Sequence, residues 1–207
     1  LRQRTPGDGV VAGTGTINSD LFGEEAARAM VVHYDYTVLA GTQGARNHYK
    51  QDRMFELALR FSMPIVLFGE GGGGRPGDDS TGPAVAFDTH TFTQFSKLSG
   101  AVPMIGVNHG RCFAGNTALL ACCDVIIATE NSNIGMGGPA MIEGGGLGVY
   151  QPTDIGPMDV QTQNGVVDIL VKDEEEAVAV AKKYLAYFQG TIADWECEDQ
   201  RKLRHLV

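Results

Sequence analysis

The chain has 207 residues and a net charge of −9, with 16 Lys and Arg against 25 Asp and Glu. That acidity excludes nucleic acid or an anionic membrane as the main partner, since both demand a basic footprint. It still allows a phosphorylated small ligand held by backbone amides. A composition of 43% hydrophobic and 20% charged residues suits a globular domain with a substantial core. No apolar run approaches the roughly 20 residues of a membrane span. The opening Leu1–Pro6 lacks the apolar stretch of a secretory signal. A cytoplasmic location is expected, or an organelle matrix in a eukaryote.

In chain order, Val10–Ile17 reads as a Gly-interrupted strand and Ala29–Tyr34 as its continuation after a loop. From Thr42, apolar residues recur at three- and four-residue spacing among charged ones, predicting a helix through Tyr49, Met54, Leu57, Ala58 and Phe61 that ends at Met63-Pro64. Pro64–Phe68 is a continuously apolar strand, the pattern of one buried on both faces. The unit then repeats. Phe87–Leu98 predicts a helix, Val102–Val107 a strand, Gly115–Cys122 a short helix, Asp124–Ala128 a strand and Val166–Val171 another. Lys172–Glu176 opens a last amphipathic helix that runs to Phe188, with acidic residues suited to its first turn. Strands alternating with helices predict an α/β architecture. The segment Thr191–Val207 is polar and reads as a linker or tail.

Of the cysteines, Cys122 and Cys123 lie in an apolar run and read as buried reduced thiols, and no C-x-x-C spacing suggests zinc. The 28 glycines are clustered, not dispersed. Glycine gathers where backbone approaches a ligand closely or takes positive φ. Two such places follow predicted strands. One is Phe68–Asp78, containing Gly71, Gly72, Gly73, Gly74 and Arg75. The other is His109–Asn116, containing Ala114 and Gly115. Backbone N–H groups at a strand-to-helix turn lack helical partners, and two that converge form an oxyanion hole. A phosphate loop needs G-x-x-x-x-G-K-[ST], which is absent. A dinucleotide fingerprint needs a helix directly behind the glycines, where Pro76 and Pro83 intervene.

These stretches, together with Asp8–Asn18, Tyr34–Gly44, Gly110–Asp124 and Gly165–Leu170, resemble the N-terminal lobe of the carboxyltransferase domain of biotin-dependent acyl-CoA carboxylases, in order over roughly residues 7 to 190. The resemblance implies a crotonase/Clp protease-like α/β fold, a superhelix of repeated β-β-α units. It implies a lobe over residues 1–190 that binds acyl-CoA, with 191–207 leading toward a C-terminal lobe that binds carboxybiotin. In the related enoyl-CoA hydratases two glutamates do the proton transfer; the matching positions here are Ala118 and approximately Gly138. In Clp-type proteases the turn carries a serine, where this chain has Ala114.

What the resemblance leaves is amide donation. Ala114 and Gly115 are the expected donors to the thioester oxygen, with Gly72 and Gly73 shaping the opposite wall and Gly71–Gly74 packing the thioester. Many family members have Gly-Gly where this chain has Ala114-Gly115. Arg75 is a candidate for a CoA phosphate, although an ion pair with Glu70 or Asp78 in its own loop is the plainer role. His48, Lys50 and Arg53 offer a reach toward the nucleotide, or simply a solvated helix face. Gly137, Gly138 and Met141, with Met136 and Ile142, are candidates for the acyl pocket. Biotin on a partner carrier domain is the implied cofactor, coenzyme A enters with the substrate, and no metal is implied in this lobe. Implied partners are acyl-CoA, the C-terminal lobe, the biotin carboxyl carrier and biotin carboxylase components, and further copies of the chain. A decarboxylase subunit and an idle scaffold lobe stay open as alternatives.

Overall fold

A computed structural model describes residues 7–75, 89–191 and 201. Six strands form the main sheet in the order β1-β2-β3-β4-β6-β8, and β5 with β7 forms a separate two-stranded sheet. The main strands are β1 (Val10–Thr16), β2 (Arg28–Tyr34), β3 (Ile65–Phe68), β4 (Met104–Asn108), β6 (Val125–Thr129) and β8 (Ile169–Val171); the small pair is β5 (Arg111–Phe113) and β7 (Asn133–Gly135). The helices are α1 (Ser19–Ala26), α2 (Ala45–Arg60), α3 (His90–Ser96), α4 (Gly115–Leu120), α5 (Pro139–Gly144), α6 (Met158–Gln161) and α7 (Glu174–Ala186). Only β1 with β2 is antiparallel; the other neighbours run parallel.

The alternation of side chains along a strand sorts the core into two layers. Met30, Val32 and Tyr34 of β2, Ile65 and Leu67 of β3 and Met104 of β4 face one side, where they meet Phe55 and Ala58 of α2, Phe95 of α3 and Leu119 of α4. Ala29, Val66, Ile105, Val107, Val125 and Ile127 face the other side against Ala177, Ala181 and Leu185 of α7. Both faces are covered, so the central strands read as unbroken apolar runs. Each fully buried Leu or Ile there contributes about 1.5–3 kcal/mol over leaving it exposed. A third cluster, Cys112, Leu120, Ile126, Ala128, Ile134, Met158 and Val167, fastens the small sheet to the main one.

The structure departs from the sequence expectations in specific places. Val10–Ile17 and Ala29–Tyr34 are not one interrupted strand but the two arms of an antiparallel pair joined through α1. Helix α1 buries none of its residues and is kinked at Gly23, with φ 76°, so it leaves no core-facing stripe in the sequence. The helix predicted over Phe87–Leu98 is α3, beginning at His90; Phe87 and Asp88 lie outside the described residues. The strand predicted over Val166–Val171 is β8, confined to its last three residues. Helix α7 starts with an N-cap from Asp173, whose carboxylate accepts from Glu176 N at 3.0 Å.

Candidate active site

The small sheet is what assembles the site. Glycine 71 bridges in parallel to Cys112 of β5, and Phe113 of β5 stands opposite Gly135 of β7. Three loops therefore leave the same patch of backbone: the glycine run after β3, the turn Ala114-Gly115 after β5, and Met136–Gly138 after β7. A fourth segment joins through the bridge between Gln43 and Gly74, with Gln43 N donating to Gly73 O at 2.6 Å and Arg75 N to Gln43 O at 2.8 Å.

The amides expected to face a ligand divide sharply. Ala114 N donates to Gly135 O at 3.2 Å, so this N–H serves the chain itself, contrary to its expected role. Gly71 N goes to Arg111 O and Gly72 N to Ala40 O, at 2.8 and 2.9 Å. Gly73 N is taken by the Asn116 side chain at 2.9 Å. Two amides remain without an acceptor among the described residues. Gly115 N sits at the first position of α4, where no helical carbonyl can reach it. Gly74 N points away from its bridge partner Gln43 into an exposed position. The glycine run and the turn after β5 pack against each other: a Cβ built on Gly73 would meet Ala114 Cβ at 2.6 Å and Gly115 N at 3.3 Å. Only glycine fits at 73, for this reason and for its φ of 86°.

Asn116, which the sequence offers only as part of a turn, holds the glycine run in place. It is fully buried. Its Oδ1 accepts from Gly73 N, and its Nδ2 donates to Gly41 O at 3.3 Å and Glu70 O at 3.4 Å. Arg75 is also interior, at 5% exposure. Its guanidinium pairs with Asp8 at 2.5 Å and donates to Thr42 O at 2.8 Å. The expected pairing with Glu70 gives way to Asp8, because the chain turns inward at Arg75; Asp78 lies outside the described residues. On α2, His48 Nδ1 meets Thr91 Oγ1 at 2.9 Å, Lys50 donates to Gly7 and Val10 carbonyls, and Arg53 forms an exposed pair with Glu56. The His48 and Lys50 contacts tie α2 to α3 and β1.

Behind the glycine run lies a cluster of titratable side chains. Glu70 Oε2 and Glu174 Oε1 flank His109, each at 3.5 Å, and the His33 ring stacks on His109 with centroids 6.1 Å apart. Burial raises the Glu70 carboxyl above its ordinary range despite the opposing pull of His109. Burial lowers His33, with His109 adding to the effect. Cys112, wholly buried, is pushed up to about 12 by desolvation, so it is an inert thiol.

Gly138 caps α5 and rests over Phe113, with a built Cβ 3.5 Å from the ring. A Cβ built on Gly137 would lie 3.8 Å from Met141 Cβ, and Met136 and Met141 are exposed. The β5–β7 pairing thus brings Gly138 against Phe113, the residue before the Ala114-Gly115 turn.

A model of the carboxyl transferase domain family matches residues 1–200. The chain is 30% identical over 186 residues to the methylmalonyl-CoA carboxyltransferase 12S subunit of Propionibacterium freudenreichii subsp. shermanii, covering 88% of this chain and 33% of that protein. It is 28% identical over 188 residues to the methylmalonyl-CoA decarboxylase subunit alpha of Veillonella parvula, covering 90% of this chain and 35% of that one. Among solved structures, a single-chain, multi-domain long-chain acyl-CoA carboxylase superposes with a TM-score of 0.90 at 58% identity, over 97% of this chain and 20% of that chain. The chain spans about a third of the length of the curated relatives it matches.

Proposed function

The chain belongs to the carboxyl transferase domain family, with the crotonase-like α/β architecture, and from that premise we propose that it is the acyl-CoA-binding lobe of a biotin-dependent acyl-CoA carboxyltransferase. The single observation that carries the reading is that Gly74 N and Gly115 N, in two segments packed against each other at Gly73 and Ala114, have no acceptor among the described residues. Amides so placed stabilise an oxygen that gains negative charge, and supply no proton. Enolisation of an acyl thioester is the chemistry that asks for this. The base has to arrive with the other reactant, and carboxybiotin supplies both the carboxyl group and, once that is lost, a basic ureido nitrogen.

In this scheme Gly115 N and Gly74 N donate to the thioester oxygen, taking the place given to Ala114 by the sequence. Asn116 and the Arg75–Asp8 pair keep the glycine run at the distance the oxyanion requires, and the Gly71–Gly73 main chain walls the site. Met136, Met141 and the exposed Leu147 and Val149 offer apolar surface along which an acyl chain lies. The 58% identity to a long-chain acyl-CoA carboxylase favours a long acyl chain as the substrate. A C-terminal lobe completes the site, biotin carboxylase and biotin carrier components supply the carboxybiotin, and copies of the chain assemble together. The expected linker over 191–207 lies, apart from residues 191 and 201, outside the described residues. The similarity to a decarboxylase subunit supports the same amides working in the opposite direction as a second reading.

The test is to replace the Gly115 peptide N–H with an ester oxygen in the full-length enzyme, leaving every side chain intact. Carboxyl transfer to acyl-CoA falls by about 10²–10³-fold if this amide holds the oxyanion. Unaltered transfer rejects the assignment. Decarboxylation without net carboxylation by the wild type selects the second reading, and no acyl-CoA binding at all selects an idle scaffold.

A further inference from the structure

Gly115 has another neighbour that amide donation does not use. A Cβ built on Gly115 would fall 2.7 Å from Gln43 Oε1 and 3.2 Å from the Phe92 ring. The side-chain carbonyl of Gln43 therefore stands beside the start of α4. Gln43 is 4% exposed. Its Nε2 donates to the Tyr34 hydroxyl at 2.7 Å, while no donor reaches Oε1 among the described residues. Nor is that oxygen sealed off, since Asn108 Oδ1 is the one fully buried, unpartnered side-chain polar atom among the described residues.

A buried chain of hydrogen bonds dictates which end of the carboxamide faces Gly115. Asn47 Nδ2 donates to the Asp8 main-chain carbonyl at 3.3 Å, which turns Asn47 Oδ1 toward Gln51. Gln51 Nε2 donates to that oxygen, so Gln51 Oε1 faces Tyr34. The Tyr34 hydroxyl gives its one proton to Gln51 Oε1 at 2.5 Å. It must then accept from Gln43 Nε2, because a hydroxyl has a single hydrogen. A backbone carbonyl, which cannot be flipped, thus fixes three carboxamides in sequence and leaves an acceptor aimed at the site. Burial raises the Tyr34 phenol above its ordinary range, so it stays a donor.

An accessible carbonyl with no donor among the described residues, held beside the start of α4, is placed to accept from a ligand's N–H. We propose that Gln43 is a substrate-contacting residue whose Oε1 accepts a hydrogen bond from an amide-type N–H of the bound reactants. The inference rests on the carboxyltransferase reading, which supplies two such donors: the pantetheine amide nearest the thioester of an acyl-CoA, and the ureido N–H of biotin.

The test uses the full-length enzyme with Gln43→Met, which keeps the length and removes the acceptor, and Gln43→Glu, which keeps an oxygen there. Carboxyl transfer is read with two probe pairs. One is an acyl N-acetylcysteamine thioester against its N-methyl counterpart. The other is biotin against biotin methylated on the ureido nitrogen that does not carry the carboxyl. Wild type should prefer the N–H member of one pair by about three- to ten-fold, the scale of one neutral hydrogen bond, and that pair identifies the donor. Q43M should lose the preference and raise KM for that reactant by the same factor with kcat within about twofold, and Q43E should restore the preference. Three results overturn the inference alone: no preference in wild type for either pair, an unchanged KM in Q43M, or equal loss in Q43M and Q43E. If Q43M fails to fold, the wild-type preference decides. A wild type that carries out no carboxyl transfer sinks the carboxyltransferase reading and this inference with it.

Discussion

Gly73 and Ala114 are packed so closely that a methyl group on the first would lie 2.6 Å from the methyl of the second. Ala114 also holds φ 52° and ψ −123°, a conformation that costs an L residue about 1–2 kcal/mol. Gly73→Ala alone should destabilise by more than about 2 kcal/mol, from strain at φ 86° and the collision together. Ala114→Gly alone should stabilise by about 0.5–1 kcal/mol after the entropy of the new glycine is subtracted. The double variant should recover about 1 kcal/mol of the Gly73→Ala loss, a coupling that chemical denaturation measures directly. Strict additivity would mean that the two walls do not touch.

Removing the Asn116 side chain strands Gly73 N and deprives the carbonyls of Gly41 and Glu70 of their donor. Asn116→Ala should cost about 2–4 kcal/mol. It should also slow hydrogen exchange less at Gly73 than in wild type, since that amide is released. Asn116→Asp, which keeps the acceptor for Gly73 N and loses the donor, should fall between. An Asn116→Ala protein as stable as wild type would remove the side chain from its place as the clamp.

Glu70 leans over Gly110, where a built Cβ would lie 1.8 Å from Oε1. Its carboxyl is raised by burial. A raised carboxyl favours the folded state below the ordinary carboxylate range, and that contribution is lost as pH rises through the raised value. Glu70→Gln should therefore match wild type in thermal stability near pH 4 and exceed it by about 1–3 °C at pH 8. Gly110→Ala pushes the carboxylate out toward water, a movement of a flexible side-chain end, and should erase that pH-dependent difference. An excess that grows toward acid would reverse the assignment.

Thiol accessibility tests the interior directly. Burial raises Cys112 to about 12 and Cys123 well above its ordinary range, and raises Cys122, which lies nearer the surface, as well. Alkylation of the native protein near pH 8 should modify Cys122 before Cys112 or Cys123, with Cys112 reacting only on unfolding. Early modification of Cys112 would show that the β5 strand opens in the native state.

The central strands were open to reading because burial on both faces makes them continuous apolar runs, as in Ile65–Phe68 and Val125–Thr129. Helix α2 was open to reading through its spacing. Helix α1 was not, since it has no buried stripe and is broken at Gly23. Three-residue strands such as β5 and β7 are too short to show a period, and they are the elements that gather the site. The glycine-rich turns marked where main chain matters, but not which N–H is unclaimed. That depends on acceptors far along the chain: Gly135 for Ala114, Asn116 for Gly73. Gln43 stood within a recognisable stretch, yet its role emerges only from the relay that runs back to Asp8.

Beyond Gly135 the chain travels out through α5 and returns to its starting point, where Ile134 N donates to Gly156 O at 3.0 Å and Asn133 bridges Pro157. The excursion from 136 to 155 is therefore a closed loop pinned at its base. Doubling the length of such a loop costs only about 0.6 kcal/mol in closure entropy. Lengthening or trimming that arm leaves the β5–β7 backbone in place, and under the proposed reading it would alter the tail accommodated there without moving the turn at Ala114-Gly115.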